Sequence, residues 1–518
     1  MTLSQQIEPI ASENKRDNPG PLKHAQRAEC LEGTRTVVLG EIFAWLKDAC
    51  GARFLWLNGV AGSGKSSIAQ SASIHAARLP DHLVVSIFFS QFGYAGLCDP
   101  SSAFQTLACQ LCLLDIGYQE RVSEVIHKHP DILEKDLRFQ YKKLIIELLD
   151  AIRRSHSCVL IILDGLDECE PHGVTAVLKV LLADNINHPK GLKILTTSRP
   201  EAHLHRIFDT HGDIRKLSLD DIETGSDIRH YLRTSFKQLL VGPFTVPEET
   251  ISELVKRAGN SFVYAATIVR FVFDEHSQPQ DPQMRVDFLL SHRADSEGHP
   301  HTRLNALFLS ILQRSLPAGA TMRRLQEVLG LLVCIREPFQ MDKMETFYDL
   351  TPRDVKRVLH HLHSLVQVPE LDGLALRIYD RSFTDFIVDS RRCADQNLVV
   401  DIGSTEKRIF IKCSSLCKLW RQKVVNDLTS PAWTNNRTTF AYPSSSKEEQ
   451  YACLYWASHL TKIKNVDEKT QHDLDDRCLL RWMETMSLFG MQREAVTCIG
   501  QIRKWLVSNS MRFVDQYS

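Results

Sequence analysis

The chain has 518 residues, 43% apolar and 24% charged, which suits roughly three or four domains of ordinary globular make-up. Lysine and arginine number 62 against 63 acids, a net charge of -1, so the bulk composition does not ask for a polyelectrolyte partner. The first twenty residues hold no apolar signal core, and no apolar run approaches the ~18 residues of a membrane span. The reading is therefore of a cytoplasmic chain without membrane contact. The 14 cysteines are scattered through core-like segments, as reduced thiols are, and the sequon at Asn436 is read as unused.

Taken in chain order, residues 1–28 are polar, with Pro19 and Pro21 among charges, and read as a flexible leader. Thr34 to Leu46 has helical spacing. Four short apolar runs follow: Phe54–Leu57, Leu83–Phe89, Cys158–Leu163 and Leu192–Leu195. Nearly unbroken apolar runs of this length mark strands buried on both faces of a parallel sheet. Helical stretches lie between them, at Ser66–Ala77, Ala103–Leu114 and Tyr141–Arg153. The alternation predicts a wound α/β domain over 29–215. Beyond Leu219 the strands stop. Asp227–Leu239, Glu248–Ala258 and Phe262–Phe273 read as helices, and the polar stretch Asp274–His301 as a separator, so 216–300 is set apart as a helical domain and linker. Over 301–394, helices lead to a hairpin around Val366–Ile378 with Asp372-Gly373 as its turn, the outline of a winged helix. Residues 395–518 read as helical apart from a loop at Thr429–Ser446.

Gly59-Val60-Ala61-Gly62-Ser63-Gly64-Lys65-Ser66, with Ser67 after it, fits G-x-x-x-x-G-K-[ST] between a strand and a helix. The glycines let successive N–H groups turn into one concavity, and the helix adds the positive end of its dipole. Lys65 reaches the β and γ phosphates, and the Ser66 hydroxyl ligates Mg²⁺. Asp164 ends a buried strand and supports the metal. Asp167 and Glu168 are candidates to orient or deprotonate a water, the alternative being an acidic helix start. Arg199, after Thr196-Thr197-Ser198, would emerge at the same sheet edge and sense a γ-phosphate, the alternative being a surface arginine.

These three motifs together, GVAGSGKSS, LIILDGLDE and LTTSRPE, resemble the NACHT class of signal-transducing P-loop NTPases. Cys30-Leu31-Glu32-Gly33-Thr34-Arg35 resembles the lead-in of many fungal NACHT proteins and nephrocystin-like N-terminal domains. Leu254–Thr267 resembles their helical-domain segment, Ser382–Phe386 their winged-helix segment, and Glu449–Leu460 and Leu480–Gly490 the helices after it. The resemblance implies an AAA-like strand order, 5-1-4-3-2. It places Thr34 and Arg35 near the adenine. It implies a regulatory switch that holds ADP, exchanges it for ATP, opens and self-associates toward a protein effector, with a fungal self-recognition or immune role known only for the family.

The sequence departs from that pattern in three ways. Many relatives carry a histidine that contacts bound ADP where this chain has Asp380, and a carboxylate there repels a phosphate. No lysine or arginine stands between Arg78 and Arg121. Neither an effector domain nor repeats flank the core, which leaves open a short natural form, a partial gene product or an adaptor. Cys109 and Cys112, and likewise Cys413 and Cys417, read as core thiols one turn apart rather than a zinc set. His360, His361 and His363 read as no metal site. Asp354–His363 carries only Lys356 and Arg357 as basic residues, too few for DNA binding. The expectation is slow hydrolysis of ATP, with GTP left open, using Mg²⁺. The alternatives kept are a non-hydrolysing nucleotide-binding scaffold and a different P-loop ATPase or kinase.

Overall fold

The computed structural model describes residues 28–90, 100–152, 156–183, 185–239, 246–274, 281–291, 300–315, 320–337, 340–429, 446–463, 476–488 and 491–514. The leader up to residue 27, the residues just after Ser90, the Asn436 sequon and most of the loop foreseen after Thr429 lie outside them. The chain forms two compact units, residues 1–310 with 380–382, and residues 311–379 with 383–518.

In the first unit five parallel strands make one sheet: β1 Phe54–Asn58, β2 His82–Phe88, β3 Cys158–Asp164, β4 Leu192–Ser198 and β5 Ile214–Ser218. Their order across the sheet is β2-β3-β4-β1-β5, which is 5-1-4-3-2 read from the other edge. Strand residues alternate between two cores, as a period of two requires. Phe54, Trp56, Val85, Ile161, Leu163 and Ile194 point into one. Leu55, Leu57, Leu160, Ile162 and Leu195 point into the other, against α1 Thr36–Lys47 and α2 Lys65–Ala77. The first face is covered by α3 Ala103–Leu114, α4 Ile116–Lys128, a helical run α5 over 137–152, α6 Pro171–Leu181 and α7 Ala202–Asp209.

Several elements were hidden from the periodicity. β5 has the sequence IRKLS and only Leu217 is buried, so it carries no apolar run. It is an edge strand, its cations paired at Arg215–Glu41 (2.9 Å) and Lys216–Asp209 (2.6 Å). At the opposite edge Gln110 acts as a substitute neighbour for β2. Its Oε1 accepts from the Ser86 N–H at 2.9 Å and its Nε2 donates to the Ser86 carbonyl at 2.8 Å. The predicted helix Tyr141–Arg153 begins earlier, at Leu137, and contains a π-helical turn, Tyr141–Ile146.

The rest of the first unit is helical: α8 Gly225–Leu239, α9 Glu248–Ala258, α10 Phe262–Val272 and α11 Pro282–Ser291, with the start of α12 Pro300–Ser315. α11 corrects the reading of 274–301 as a separator. Its polar composition conceals a buried Arg285, whose Nη1 donates to the carbonyls of Phe271 (3.0 Å), Val272 (3.2 Å) and Asp274 (2.9 Å). The arginine thus satisfies carbonyls that α10 leaves without partners at its C-terminus. Arg257 caps α11 in the same way, through Leu289 and Leu290.

The second unit contains α13 Ala320–Cys334, α14 Met344–Tyr348, α15 Pro352–Leu359, the antiparallel pair β6 Val366–Gln367 and β7 Arg377–Ile378, and most of α16 Arg381–Val388. Four helices follow: α17 Ile402–Thr429, α18 Lys447–Leu460, α19 Asp476–Leu488 and α20 Gln492–Val514. Lys356 of α15 is spent on Asp372 at 2.7 Å. Gly330 lets α13 meet α17, since a Cβ there would lie 2.8 Å from Thr405 Oγ1. Cys417 and Cys453 bring their sulfurs to 3.5 Å between α17 and α18. Among the described residues no group of three or more metal-ligating side chains is gathered, and no helix is long and apolar enough to cross a membrane.

A buried polar network joins these helices. Glu406 accepts from Arg336 Nη2 at 2.8 Å and lies 2.5 Å from His459 Nδ1, while His459 Nε2 meets the Tyr451 hydroxyl at 2.8 Å. Burial pushes the His459 imidazole below its ordinary value, Arg336 adds to the fall, and Glu406 opposes it. The unfolded chain, with an imidazole near the usual value of about 6.5, then binds more protons than the folded one just below that pH. Stability contributed here is complete above the unfolded value and is lost as pH falls toward the folded one. Urea unfolding followed by tryptophan fluorescence is expected to show a lower midpoint at pH 5.5 than at pH 7.5. His459→Gln should flatten that slope, and parallel slopes would refute a neutral buried His459. Glu406→Ala, which strands Arg336, should cost about 3 kcal/mol at either pH.

Candidate functional site: a glycine-rich loop at the sheet's carboxyl edge

The loop between β1 and α2 is shaped by residues outside it as much as by its own glycines. Gly62 and Gly64 have φ of +76° and +89°, where side chains are strained. A Cβ on Gly62 would stand 2.9 Å from Val263 Cβ, and the Gly62 carbonyl accepts from the Val263 N–H at 3.2 Å. The start of α10 is therefore pressed onto the loop. Val60 donates its N–H to Asp220 at 3.1 Å.

Arg35 fixes the loop from the other side. It is 3% exposed and adopts a left-handed backbone, φ +56°. Its N–H donates to Asp227 Oδ2 at 2.9 Å, its Nη2 donates to the Ser63 carbonyl, and its guanidinium lies 4.5 Å from the Phe262 ring centre. Its Nη1 is buried without a hydrogen-bond partner. Burial lowers its pKa, against the pull of Asp227. Thr34, beside it, donates its hydroxyl to the Leu31 carbonyl at 2.6 Å. Thr34 thus shapes the turn, whereas Arg35 faces the loop.

Lys65 opens α2. Its Nζ donates to the carbonyls of Gly59 (2.7 Å) and Val60 (2.8 Å) and lies 3.4 Å from Ser63 Oγ. Desolvation lowers its pKa and Arg199 adds to this, while Asp167, Asp164 and Asp380 pull it back up. Ser66 and Ser67 follow in the first turn, where helical N–H groups have no carbonyl one turn behind them.

Strand register brings the remaining candidates to the same edge. Asn58 pairs with Ser198 and Leu163 with Thr196, so β4 stands between the strand that leads into the loop and the strand that ends at Asp164. Asp164 is 0% exposed and accepts from Thr197 Oγ1 at 2.5 Å. Gly165, at φ +77°, turns the chain so that Asp167 reaches Arg199. The Arg199 N–H donates to Asp167 Oδ1 at 3.0 Å, and its Nε lies 3.2 Å from Oδ2. Arg381 Nη1 also reaches Asp167, donating to its carbonyl at 2.9 Å and lying 3.4 Å from Oδ2. Asp167 is thus held as an ion-pair centre. Glu168 is half-buried, with its N–H on the Gly165 carbonyl at 2.8 Å.

The candidates from three separate motifs therefore meet at one sheet edge. Sequence reasoning missed Asp220, Asp227, Phe262, Val263 and Arg381. Only Arg381 had a legible signal, a cation next to the anomalous Asp380. Taken together, the orphaned Nη1 of Arg35, the positive-φ glycines, Lys65 and the helix N-terminus suit a polyanion such as a phosphate chain. Ser66 and Asp164 offer the oxygen donors that Mg²⁺ prefers.

Residues 33–199 match the model of a family described as nephrocystin 3, N-terminal. No curated protein matches the chain. Among solved structures, a Pyrococcus horikoshii STAND protein (signal transduction ATPase with numerous domains), which bears a tetratricopeptide repeat sensor, is 14% identical with a TM-score of 0.40. That match covers 93% of this chain, which spans 66% of the length of that protein. A Walker-type ATPase of Pyrococcus abyssi is 13% identical over 70% of this chain and 98% of its own, TM-score 0.35. The Aeropyrum pernix ORC2 protein is 11% identical over 75% and 97%, TM-score 0.33.

The glycine geometry yields two opposite expectations. Gly62→Ala forces a Cβ against Val263 and should lower stability by about 2 kcal/mol. Gly40→Ala, on α1 with nothing within 4 Å of a Cβ, should raise it by about 0.5 kcal/mol. Thermal unfolding of both variants checks the pair.

Proposed function

We propose that the chain is a NACHT-type, nucleotide-operated signalling switch that binds ATP or ADP with Mg²⁺, hydrolyses ATP slowly and controls its own conformation and self-association. The observation that carries this reading is the meeting of Lys65, Asp164, Glu168 and Arg199 at one sheet edge beside a glycine-shaped anion cradle. Residues 29–215 form the nucleotide core in this reading, 216–300 the helical domain, 301–394 a winged-helix domain and 395–518 the C-terminal helical region. The match of residues 33–199 to the nephrocystin 3 N-terminal family supports it.

In this reading the backbone from Gly59 to Ser67 cradles the phosphates and Lys65 turns from its own loop carbonyls to the β and γ oxygens. Ser66 and Asp164 hold Mg²⁺, which supplies charge neutralisation on the phosphates. Glu168 orients the attacking water. Arg199 reports the γ-phosphate, and Asp167 holds Arg199 in place rather than acting as the base. Thr34 lies toward the base, while Arg35, between the lead-in and the loop, offers its Nη1 to the nucleotide and links the cradle to α8 and α10. The partners proposed are the nucleotide, a second copy of the chain in the ATP state and a protein effector. A second reading, a scaffold that binds nucleotide without turnover, is favoured by Asp380 and by the absence of lysine and arginine between Arg78 and Arg121.

Lys65→Ala is expected to abolish nucleotide binding, and Glu168→Gln to retain it while reducing turnover at least about 100-fold. Fluorescent-nucleotide titration and single-turnover hydrolysis separate the two readings. A parent protein that binds Mg·ATP but does not hydrolyse it would favour the scaffold.

A further inference from the structure

Within the second unit, α17 and α18 each turn a cysteine toward the other. The sulfurs of Cys417 and Cys453 stand 3.5 Å apart, in hydrogen-bond contact, although the two residues are 36 apart in the chain. Cys453 is 0% exposed, whereas Cys417 is half-buried. Cys413, one turn before Cys417, is fully buried. Neighbouring helices hold Cys453 where it is. Its carbonyl accepts from Trp482 Nε1 of α19 at 2.8 Å, and the Trp482 ring meets Trp456 edge-on with centres 5.4 Å apart. The Cys498 thiol of α20 lies 3.5 Å from the carbonyl of the next residue, Leu454. A disulfide bond is about 2.05 Å long. Two sulfurs already in contact therefore need no third group to bring them together. The hydrogen bond with Cys453 pushes the Cys417 thiol well above its ordinary value, and burial adds to the rise. Cys417 thus rests as a thiol and is no ready nucleophile.

We infer that Cys417 and Cys453 form a redox modification site, a dithiol that a hydroperoxide converts to a disulfide stapling α17 to α18. The more accessible sulfur, that of Cys417, attacks first. It takes one oxygen of hydrogen peroxide as the O–O bond breaks, becomes a sulfenic acid and releases one water. The Cys453 sulfur then displaces that hydroxyl, which leaves with the Cys453 proton as a second water. Two thiols lose two electrons and two protons, and one peroxide becomes two waters. Because Cys417 rests protonated, the first step is slow, and the site answers sustained oxidant. The second step is favoured by the contact of the two sulfurs, which places the resolving thiol beside the sulfenic acid as soon as it forms.

The full chain is treated with hydrogen peroxide, its remaining thiols are blocked with N-ethylmaleimide after denaturation, and the unreduced peptides are weighed. The expected product is a pair of peptides joined through Cys417 and Cys453, two hydrogens lighter than the separate peptides. The oxidised chain should unfold about 5 °C higher, and dithiothreitol should reverse both changes. Cys453→Ser should remove the joined pair and the thermal shift, and leave Cys417 as a sulfenic acid that dimedone labels. Cys417→Ser, at the half-buried position, should also remove the joined pair and the shift, and serves if the buried variant does not fold. A bridge through Cys413 in place of Cys417 would overturn the assignment. So would Cys417 carried to a sulfinic acid while Cys453 still takes the maleimide, or both cysteines fully blocked by maleimide after peroxide.

Discussion

Arg35 holds the first unit's site together. A guanidinium that is 3% exposed, on a residue with φ +56°, is costly in both desolvation and backbone conformation. What offsets the cost is connection. One residue draws the lead-in before α1 onto the Ser63 carbonyl, the Asp227 carboxylate of α8 and the Phe262 ring of α10. The shape of the glycine loop is thus set by three stretches of chain far apart in sequence. A displacement of α10 would be felt at Gly62 through Val263 as well as at Arg35.

Around that frame the charges are arranged in alternation. Lys65 feels Asp167, Asp164 and Asp380 on one hand and Arg199 on the other. Asp167 sits between two guanidiniums. In such a lattice no single group has a private partner, and removing one charge changes the field at all the others. Effects of substitution here are expected to be non-additive, more so than those of residues that only pack.

The sheet was largely legible because buried parallel strands are short apolar runs, and β1 to β4 are of that kind. The loop and Asp164 were legible for a related reason: glycines at fixed spacing and an acid ending an apolar run are local signals. What could not be read was non-local or polar. β5 is half-exposed and charged, and α11 buries an arginine where composition suggested a linker. Asp167 reads as a candidate to orient or deprotonate a water because it follows the strand acid. Its commitment to Arg199 and Arg381 depends on register and on a segment more than two hundred residues away. Asp227 and Phe262 belong to helices read correctly as helices, yet nothing in their periodicity pointed at the loop.

The two open edges of the sheet carry a consequence for the chain's solubility. An unpaired strand edge is a template for adding another strand, and hence for aggregation. Here the two edges are protected by different means. Beside β2 the Gln110 amide occupies both the donor and the acceptor of Ser86, so an incoming strand would have to displace a buried side chain. Along β5 the guards are Arg215 and Lys216, whose charges an incoming strand would have to desolvate. The first guard is insensitive to salt, whereas the second weakens as ionic strength rises. Association through the sheet would therefore begin at β5, and in concentrated salt.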